Sequence, residues 1–132
     1  MIRIRVSREF LTQSRDVLLR LGCLGNGERD AKQCSMCHGD EGKGHAPQFP
    51  PLANNQSITM SSPVNSIRMV LNGGYAPGTK RNPKPHGMPP FSHILNDDEV
   101  AAVVTYIRVA WENSGTPVTA ANVSELRTLV PE

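Results

Sequence analysis

Apolar residues recur at helical spacing in the stretch that follows Asn96. The residues that form this stripe are Val100, Val103, Val104, Ile107 and Trp111. Asn96 is a favourable N-cap, and Glu99 stands three residues later, at the second position of a capping box. Because helices often end at glycine, we expect this one to end at Gly115. The pattern therefore predicts an amphipathic helix from Asn96 to Gly115.

A second helical pattern lies in SSPVNSIRMVLNGG. Its apolar residues Ile67, Val70 and Leu71 fall on one helical face. Pro63 suits a first helical turn, and Gly73 suits a helix end. This stretch is predicted to form a helix that buries one face.

Weaker helical patterns occur towards both ends of the chain. Residues 8–21 place apolar side chains near one face and arginines elsewhere, which favours a short amphipathic helix. Residues 28–37 favour another short helix. Thr119 is a suitable N-cap for a last short helix that carries Val123 and Leu126.

The segments between these helices are rich in glycine and proline. Residues 39–59 include GDEGKG and FPPLANN, and residues 75–93 contain five prolines and two glycines. Such composition favours loops over regular elements. The chain is therefore predicted to be all-α, with several helices joined by long loops and no sheet. Since only 38% of the residues are apolar and 5% aromatic, a large apolar cofactor would help to complete the core.

The charge and hydropathy of the chain narrow its possible functions. The formal net charge is +2 at pH 7, which is too small to indicate nucleic-acid binding. No apolar run approaches the ~20 residues needed to span a bilayer, so no transmembrane segment is expected. Three cysteines are a poor basis for a disulfide framework.

The stretch KQCSMCHGDEGKG holds the main chemical signal of the sequence. A redox pair would need a strand-rich βαβ context, which is not predicted here. A zinc site needs four ligands, and beyond this motif only Cys23 and scattered histidines remain. A c-type haem needs two thiols one helical turn apart and a histidine directly after the second, and Cys34, Cys37 and His38 meet that demand. Haem attachment is favoured, while zinc and a redox pair stay open.

A haem iron bound by one histidine has a second axial position that a distant residue can fill. Met88 lies in HGMPPF, between a glycine and two prolines that stiffen the loop. Core filling, the usual role of a methionine, is a poor explanation in such a polar loop. His86 is the main competitor and His93 a weaker one. Met88 is the predicted distal ligand.

Taken together, these motifs resemble those of class I cytochrome c. The motifs that carry the likeness are CSMCHG from Cys34, GKG from Gly42, FPPLA from Phe49, GMPPF from Gly87, LNDDEV from Leu95 and YIR from Tyr106. Within this class, the chain is similar to the C-terminal haem domain of multihaem cytochrome c subunits of membrane-bound alcohol, gluconate or aldehyde dehydrogenases. The resemblance covers residues 33–127. It implies the cytochrome c fold, in which helices and long loops wrap around one haem.

The resemblance implies roles for individual residues. Cys34 and Cys37 would carry the thioether bonds of one haem c. His38 would be the proximal iron ligand and Met88 the distal one. A backbone carbonyl of the Pro51 segment would accept the other ring N–H of the histidine. The apolar lining of the haem crevice would comprise Leu52, Phe91, Leu95 and Ile107.

Three segments of the chain are distinguished on the same grounds. Residues 1–30 are expected to form an atypical, partly helical leader. Residues 31–115 would be the monohaem domain, in which Tyr106 contributes to the crossing of the first and last helices. Residues 116–132 would be a C-terminal extension with a short helix.

The implied function is electron transfer and not catalysis, because two axial ligands leave no open position on the iron. The donor would be a dehydrogenase subunit and the acceptor a quinone or an oxidase. The resemblance implies a periplasmic location, although residues 1–21 lack the apolar segment of a secretory signal.

Two other functions stay open at this point. A zinc-binding interaction module could use Cys23, the two motif cysteines and a histidine. A small haem enzyme or gas sensor would result if Met88 did not bind the iron.

Overall fold

The computed structural model describes residues 34–39, 41–45, 48–75 and 78–128. The leader predicted over residues 1–30, including its helix and Cys23, lies outside the described residues. So does the first part of the helix predicted over 28–37. The segment boundaries predicted after residues 30 and 115 stay predictions.

Four α-helices lie in the described part of the chain. They are α1 (Ser35–His38), α2 (Val64–Asn72), α3 (Asp97–Val109) and α4 (Ala120–Thr128). No strand occurs in these described ranges, where two isolated bridges pair His45 with Phe49 and Gly74 with Met88. The prediction of an all-α fold with long loops is confirmed for this part of the chain.

The helix starts match the capping signals in the sequence. The Asn96 side chain accepts the N–H of Glu99 at 2.8 Å, and the Glu99 carboxylate accepts the N–H of Asn96 at 3.1 Å, which completes the predicted capping box. Thr119 and Asn122 form a similar reciprocal pair at the start of α4. α2 begins directly after Pro63, as expected. Local sequence therefore determines where these three helices begin.

The end of α3 differs from the prediction. The helix stops at Val109, so the expectation that it continues to Gly115 is wrong. Ala110 is extended, and the next two residues, Trp111 and Glu112, have positive φ angles of 52° and 65°. Trp111 therefore lies outside the helix and is not part of its buried stripe.

Asn113 provides the physical reason for this early end. Its Nδ2 donates to the carbonyl of Ile107 at 2.7 Å and to the carbonyl of Leu52 at 3.0 Å. Its Oδ1 accepts the N–H of Asn54 at 2.8 Å. One side chain thus satisfies a carbonyl of the last helical turn and joins it to a distant loop, which replaces further helical hydrogen bonding.

Helices α2, α3 and α4 pack around one apolar core. The buried hydrophobic residues are Ile67, Val70, Leu71, Phe91, Leu95, Val100, Ala101, Val103, Val104, Val118 and Val123. Full burial of a large aliphatic side chain contributes roughly 1.5–3 kcal/mol, so these contacts are a major source of stability. Val123 of α4 is completely buried, which makes the C-terminal helix part of the same core.

A buried charge ties α3 to two loops. Arg108 is only 1% exposed. Its Nη1 donates to the carbonyls of Ile58 and Met60, both at 2.9 Å, and its Nε donates to the carbonyl of Thr116 at 2.9 Å. Burial lowers the pKa of the Arg108 guanidinium from its ordinary value, but arginine stays protonated at neutral pH. Backbone carbonyls therefore solvate the charge.

Replacing Arg108 by leucine is expected to destabilise the protein by about 3 kcal/mol. Three part-buried carbonyls would lose their donor, and each loss costs about 1 kcal/mol, the lower end of the range for an unsatisfied acceptor. Urea denaturation gives the free energy of unfolding. The exposed Arg68 of α2 is the matched control, and Arg68→Leu should change that energy by less than about 0.5 kcal/mol. Equal losses in the two variants would contradict the role given to Arg108.

Candidate functional site

The cysteine motif forms the short helix α1 and the residue before it. The amides of Cys37 and His38 donate to the carbonyl of Cys34 at 3.2 and 2.9 Å. The two cysteines therefore stand one helical turn apart, and no disulfide joins them. All three residues are half-buried. Two thiols and an imidazole are thus gathered in one partly accessible turn.

The imidazole of His38 is oriented by a backbone carbonyl. Its Nδ1 lies 2.9 Å from the carbonyl oxygen of Pro50. Because a carbonyl only accepts, Nδ1 carries the proton and Nε2 keeps its lone pair for a metal. The acceptor is therefore the carbonyl of Pro50. The resemblance implied a backbone carbonyl of the Pro51 segment, and Pro50 is the residue directly before Pro51. The carbonyl of Pro51 instead accepts a hydrogen bond from the Asn55 side chain at 2.8 Å.

Gly42 contacts both the loop that carries Pro50 and the residues that follow α3. The carbonyl of Gly42 accepts hydrogen bonds from the amides of Leu52 and Ala53 at 2.7 and 2.9 Å. These bonds hold the segment that includes Pro50 close to Gly42. Gly42 itself is buried with a φ of 68°, and a Cβ there would lie 2.7 Å from the Trp111 ring. Only glycine lets the indole pack so closely against this loop.

Sequence reasoning missed the roles of Trp111 and Asn113. Trp111 was expected in the buried stripe of α3, but its ring packs on Gly42 and meets Tyr106 edge-to-face, with 5.5 Å between ring centroids. Asn113 links the end of α3 to the loop that begins near Leu52. No local signal in the sequence marks these contacts, because each joins residues far apart in the chain.

The loop that carries Met88 pairs with the chain that leaves α2. The amide of Met88 donates to the Gly74 carbonyl at 2.9 Å, and the amide of Gly74 donates to the Met88 carbonyl at 3.1 Å. Gly73 has a φ of 66°, and a Cβ there would collide with the carbonyl of Met88. The glycine that ends α2 therefore also permits the close approach of this loop.

The same loop satisfies the last carbonyls of α2. The amide of Phe91 donates to the Val70 carbonyl at 3.0 Å, and the amide of Ser92 donates to the Leu71 carbonyl at 3.1 Å. These carbonyls belong to the helix end, where intrahelical donors run out. Each hydrogen bond stabilises both the helix end and the loop.

The structure separates Met88 from its competitors. Met88 is half-buried and packs against the apolar core. His86 is exposed, and its ring lies edge-on to the ring of Phe49 with 5.0 Å between centroids. His93 is also exposed. Of the three candidate ligands, only the methionine is held between loop and core.

The residues expected to line a haem crevice fall into two groups. Phe91 and Leu95 are buried in the core formed with α2 and α3. Leu52 and Ile107 are half-buried. Tyr106 is half-buried as well and meets Trp111; the crossing with a first helix would involve residues outside the described part.

An exposed ion pair lies in the loop after the cysteine motif. Glu41 and Lys43 meet at 2.8 Å with side chains 72% and 78% exposed. The hydrogen bond and charge of Lys43 lower the pKa of Glu41, and Glu41 in turn raises the pKa of Lys43. Pairs as exposed as this contribute little to stability.

A zinc site finds no support in the described residues. Among them, no group of three or more His, Cys, Asp and Glu side chains is placed to hold a metal ion. Cys23, which the zinc interpretation needs, lies outside the described part of the chain. Two thiols one helical turn apart and an imidazole directly after the second instead match what covalent attachment of a c-type haem requires.

The family is decided by comparison with known sequences. The family model described as cytochrome c matches residues 26–111, well over half of the chain. The chain belongs to the cytochrome c family. Family membership implies a covalently bound c-type haem and a role in electron transfer. Both cysteines and the histidine of the motif lie within the matched range.

Curated relatives of this cytochrome c domain include subunits of dehydrogenases. The cytochrome c subunit of quinone alcohol dehydrogenase from Gluconacetobacter polyoxogenes is 39% identical over 98 residues, covering 73% of this chain and 21% of the relative. The gluconate 2-dehydrogenase cytochrome c subunit of Pantoea cypripedii is 36% identical over 71% of this chain and 22% of the relative. The chain thus spans about a fifth of the length of these subunits.

A shorter relative matches over most of its length. Cytochrome c-552 of Thermus thermophilus is 29% identical over 110 residues, which cover 77% of this chain and 84% of that protein.

In the described part of our cytochrome c, none of the helices combines the length and apolar character that a membrane span requires.

Substituting Gly42 by alanine is expected to destabilise the haem-loaded protein by about 3 kcal/mol. A positive φ costs a residue with a Cβ about 1–2 kcal/mol, and the collision with Trp111 adds about 1–3 kcal/mol. Gly39 has a similar φ of 77°, but a Cβ there meets nothing closer than 3.8 Å. Gly39→Ala therefore isolates the backbone cost. Guanidinium denaturation that gives equal losses for both variants would refute the packing of Trp111 on Gly42.

Proposed function

We propose that the chain is an electron-transfer domain with one covalently bound haem c. Cys34 and Cys37 would each add an S–H across a vinyl double bond, which forms two thioethers without loss of atoms. His38 and Met88 would bind the iron from opposite sides. Haem supplies a one-electron couple that the polypeptide itself lacks. The observation that carries the proposal is the hydrogen bond from His38 to the Pro50 carbonyl, since it leaves Nε2 available for a metal.

The surrounding residues support a carrier in which little moves. His38 is held by its Nδ1 hydrogen bond at 2.9 Å. Met88 is held by two backbone hydrogen bonds to Gly74 and by core packing. Loops restrained in this way keep both ligands in position whichever oxidation state is present. Two protein ligands also leave no open coordination site for a substrate.

The relatives support a place next to a dehydrogenase. We infer that a dehydrogenase subunit donates electrons, and that a quinone or a terminal oxidase of a respiratory chain accepts them. The proposed location is the periplasm. Docking would be brief and would bury little area, as is usual between redox partners. In this role the domain passes electrons on and performs no chemistry on a substrate.

Replacing Met88 by alanine is expected to remove the distal ligand. The ferric protein should lose the red charge-transfer band of a methionine–iron bond, the ferrous protein should gain carbon monoxide binding, and the reduction potential should fall. Absorption spectroscopy and a redox titration measure these changes. Met60 is 50% exposed, so Met60→Ala is the control and should resemble the parent. A parent-like spectrum for Met88→Ala would rule out this ligand.

The two motif cysteines are expected to hold the haem, and Cys23 is not. Acidified organic solvent should extract haem from the Cys34→Ala, Cys37→Ala double variant but not from the parent. Native mass spectrometry should find one haem mass on the parent and on Cys23→Ala. If Cys23→Ala instead lost a bound metal and no preparation carried haem, the zinc module would be the better account.

A further inference from the structure

Helix α4 lies beyond the residues that the cytochrome c family model matches. The match ends at residue 111, whereas α4 spans Ala120–Thr128 and packs on both α2 and α3. Its Val123 is completely buried. The contacts of this helix show what it can do.

Arg127, in the last turn of α4, reaches the segment between Met88 and α3. Its Nη1 donates to the carbonyl of Ser92 at 2.6 Å, and its Nη2 donates to the carbonyl of Leu95 at 3.0 Å. Its Nε donates to Asp97 at 2.8 Å in an ion pair whose side chains are 30% and 34% exposed. The planar guanidinium thus holds three acceptors at once through a rigid fork of donors, which the compact ammonium of a lysine lacks.

The segment held by Arg127 is also held from its other side. The amide of Ser92 donates to α2, while its carbonyl accepts from Arg127 of α4. The amide of Leu95 donates to the Phe91 carbonyl at 2.9 Å, and its own carbonyl accepts from Arg127. The chain that follows Met88 is therefore fastened between two helices.

We infer that Arg127 is a positioning residue for Met88. By holding the carbonyls of Ser92 and Leu95, it restrains the loop whose displacement would take the Met88 thioether away from a bound iron. The inference rests on the proposed ligation by Met88. A weaker hold increases the fraction of molecules in which the loop is open. The apparent affinity of the protein for a competing ligand then rises in proportion to that fraction.

The test is displacement of the methionine by imidazole in the ferric, haem-loaded protein. Arg127→Gln should bind imidazole about tenfold more tightly, the factor that corresponds to losing one charge-assisted hydrogen bond. The charge-transfer band of the methionine–iron bond should disappear at correspondingly lower imidazole concentration. Arg68→Gln removes the same charge from an exposed position of α2 and should bind imidazole as the parent does.

Two further variants separate the carbonyl contacts from the ion pair. Arg127→Lys keeps the charge beside Asp97 but loses the fork that holds two carbonyls, so it should show most of the gain in imidazole affinity. Asp97→Asn keeps the carbonyl contacts and should leave that affinity unchanged. If Arg127→Gln yields no folded holoprotein, the lysine variant carries the same comparison. Faster hydrogen exchange at the amides of Phe91 and Ser92 would accompany the effect.

The outcomes distinguish this inference from the proposed function. If Arg127→Gln and Arg127→Lys lower the denaturation midpoint but bind imidazole as the parent does, Arg127 is only structural and the inference is overturned. If Asp97→Asn matches Arg127→Gln, the ion pair and not the carbonyl contacts controls the loop, which also overturns it. A parent protein without the methionine–iron band would refute the ligand assignment itself.

Discussion

The hydrogen bond between the His38 Nδ1 and the carbonyl of Pro50 is the constraint on which the proposed chemistry depends. It determines which ring nitrogen carries the proton and so which one can bind a metal. The carbonyl is placed by Gly42, whose own carbonyl accepts the amides of Leu52 and Ala53. Gly42 is in turn covered by the Trp111 ring. The orientation of one imidazole thus depends on packing at the end of α3.

The loop that carries Met88 is also held by backbone hydrogen bonds. Met88 is joined to Gly74 by two backbone hydrogen bonds, and the residues after it satisfy carbonyls at the end of α2. The Met88 loop is held by backbone groups at the end of α2, whereas the loop after the cysteine motif is held by its own backbone and by the side chains of Trp111 and Asn113. Glycine permits the close approach, and proline limits the conformations that the free loop could adopt.

Much of the fold was accessible from short stretches of sequence. The buried face of α2, the Asn96–Glu99 capping box and the Thr119 cap follow from local periodicity and capping preferences, and the structure has them. Of the stripe predicted for α3, the three valines are buried, whereas Ile107 is half-buried and Trp111 lies outside the helix. The chemistry of the cysteine motif was readable because its residues stand within one helical turn. The sequence points to Met88 because core filling is not expected of a methionine in a polar, proline-rich loop. The structure nevertheless packs Met88 against the core, and its role as iron ligand stays a prediction.

The sequence by itself determined where three helices begin, most of the face that two of them bury and where the cysteine–histidine motif stands, because these properties depend on neighbours within a few positions. Only the tertiary structure decided that α3 stops at Val109, that Pro50 faces the histidine, that Trp111 covers Gly42 and that Arg127 fastens the segment after Met88. Each of these rests on contacts between residues distant in the chain. Such contacts arise only once the helices have packed, so no local pattern encodes them.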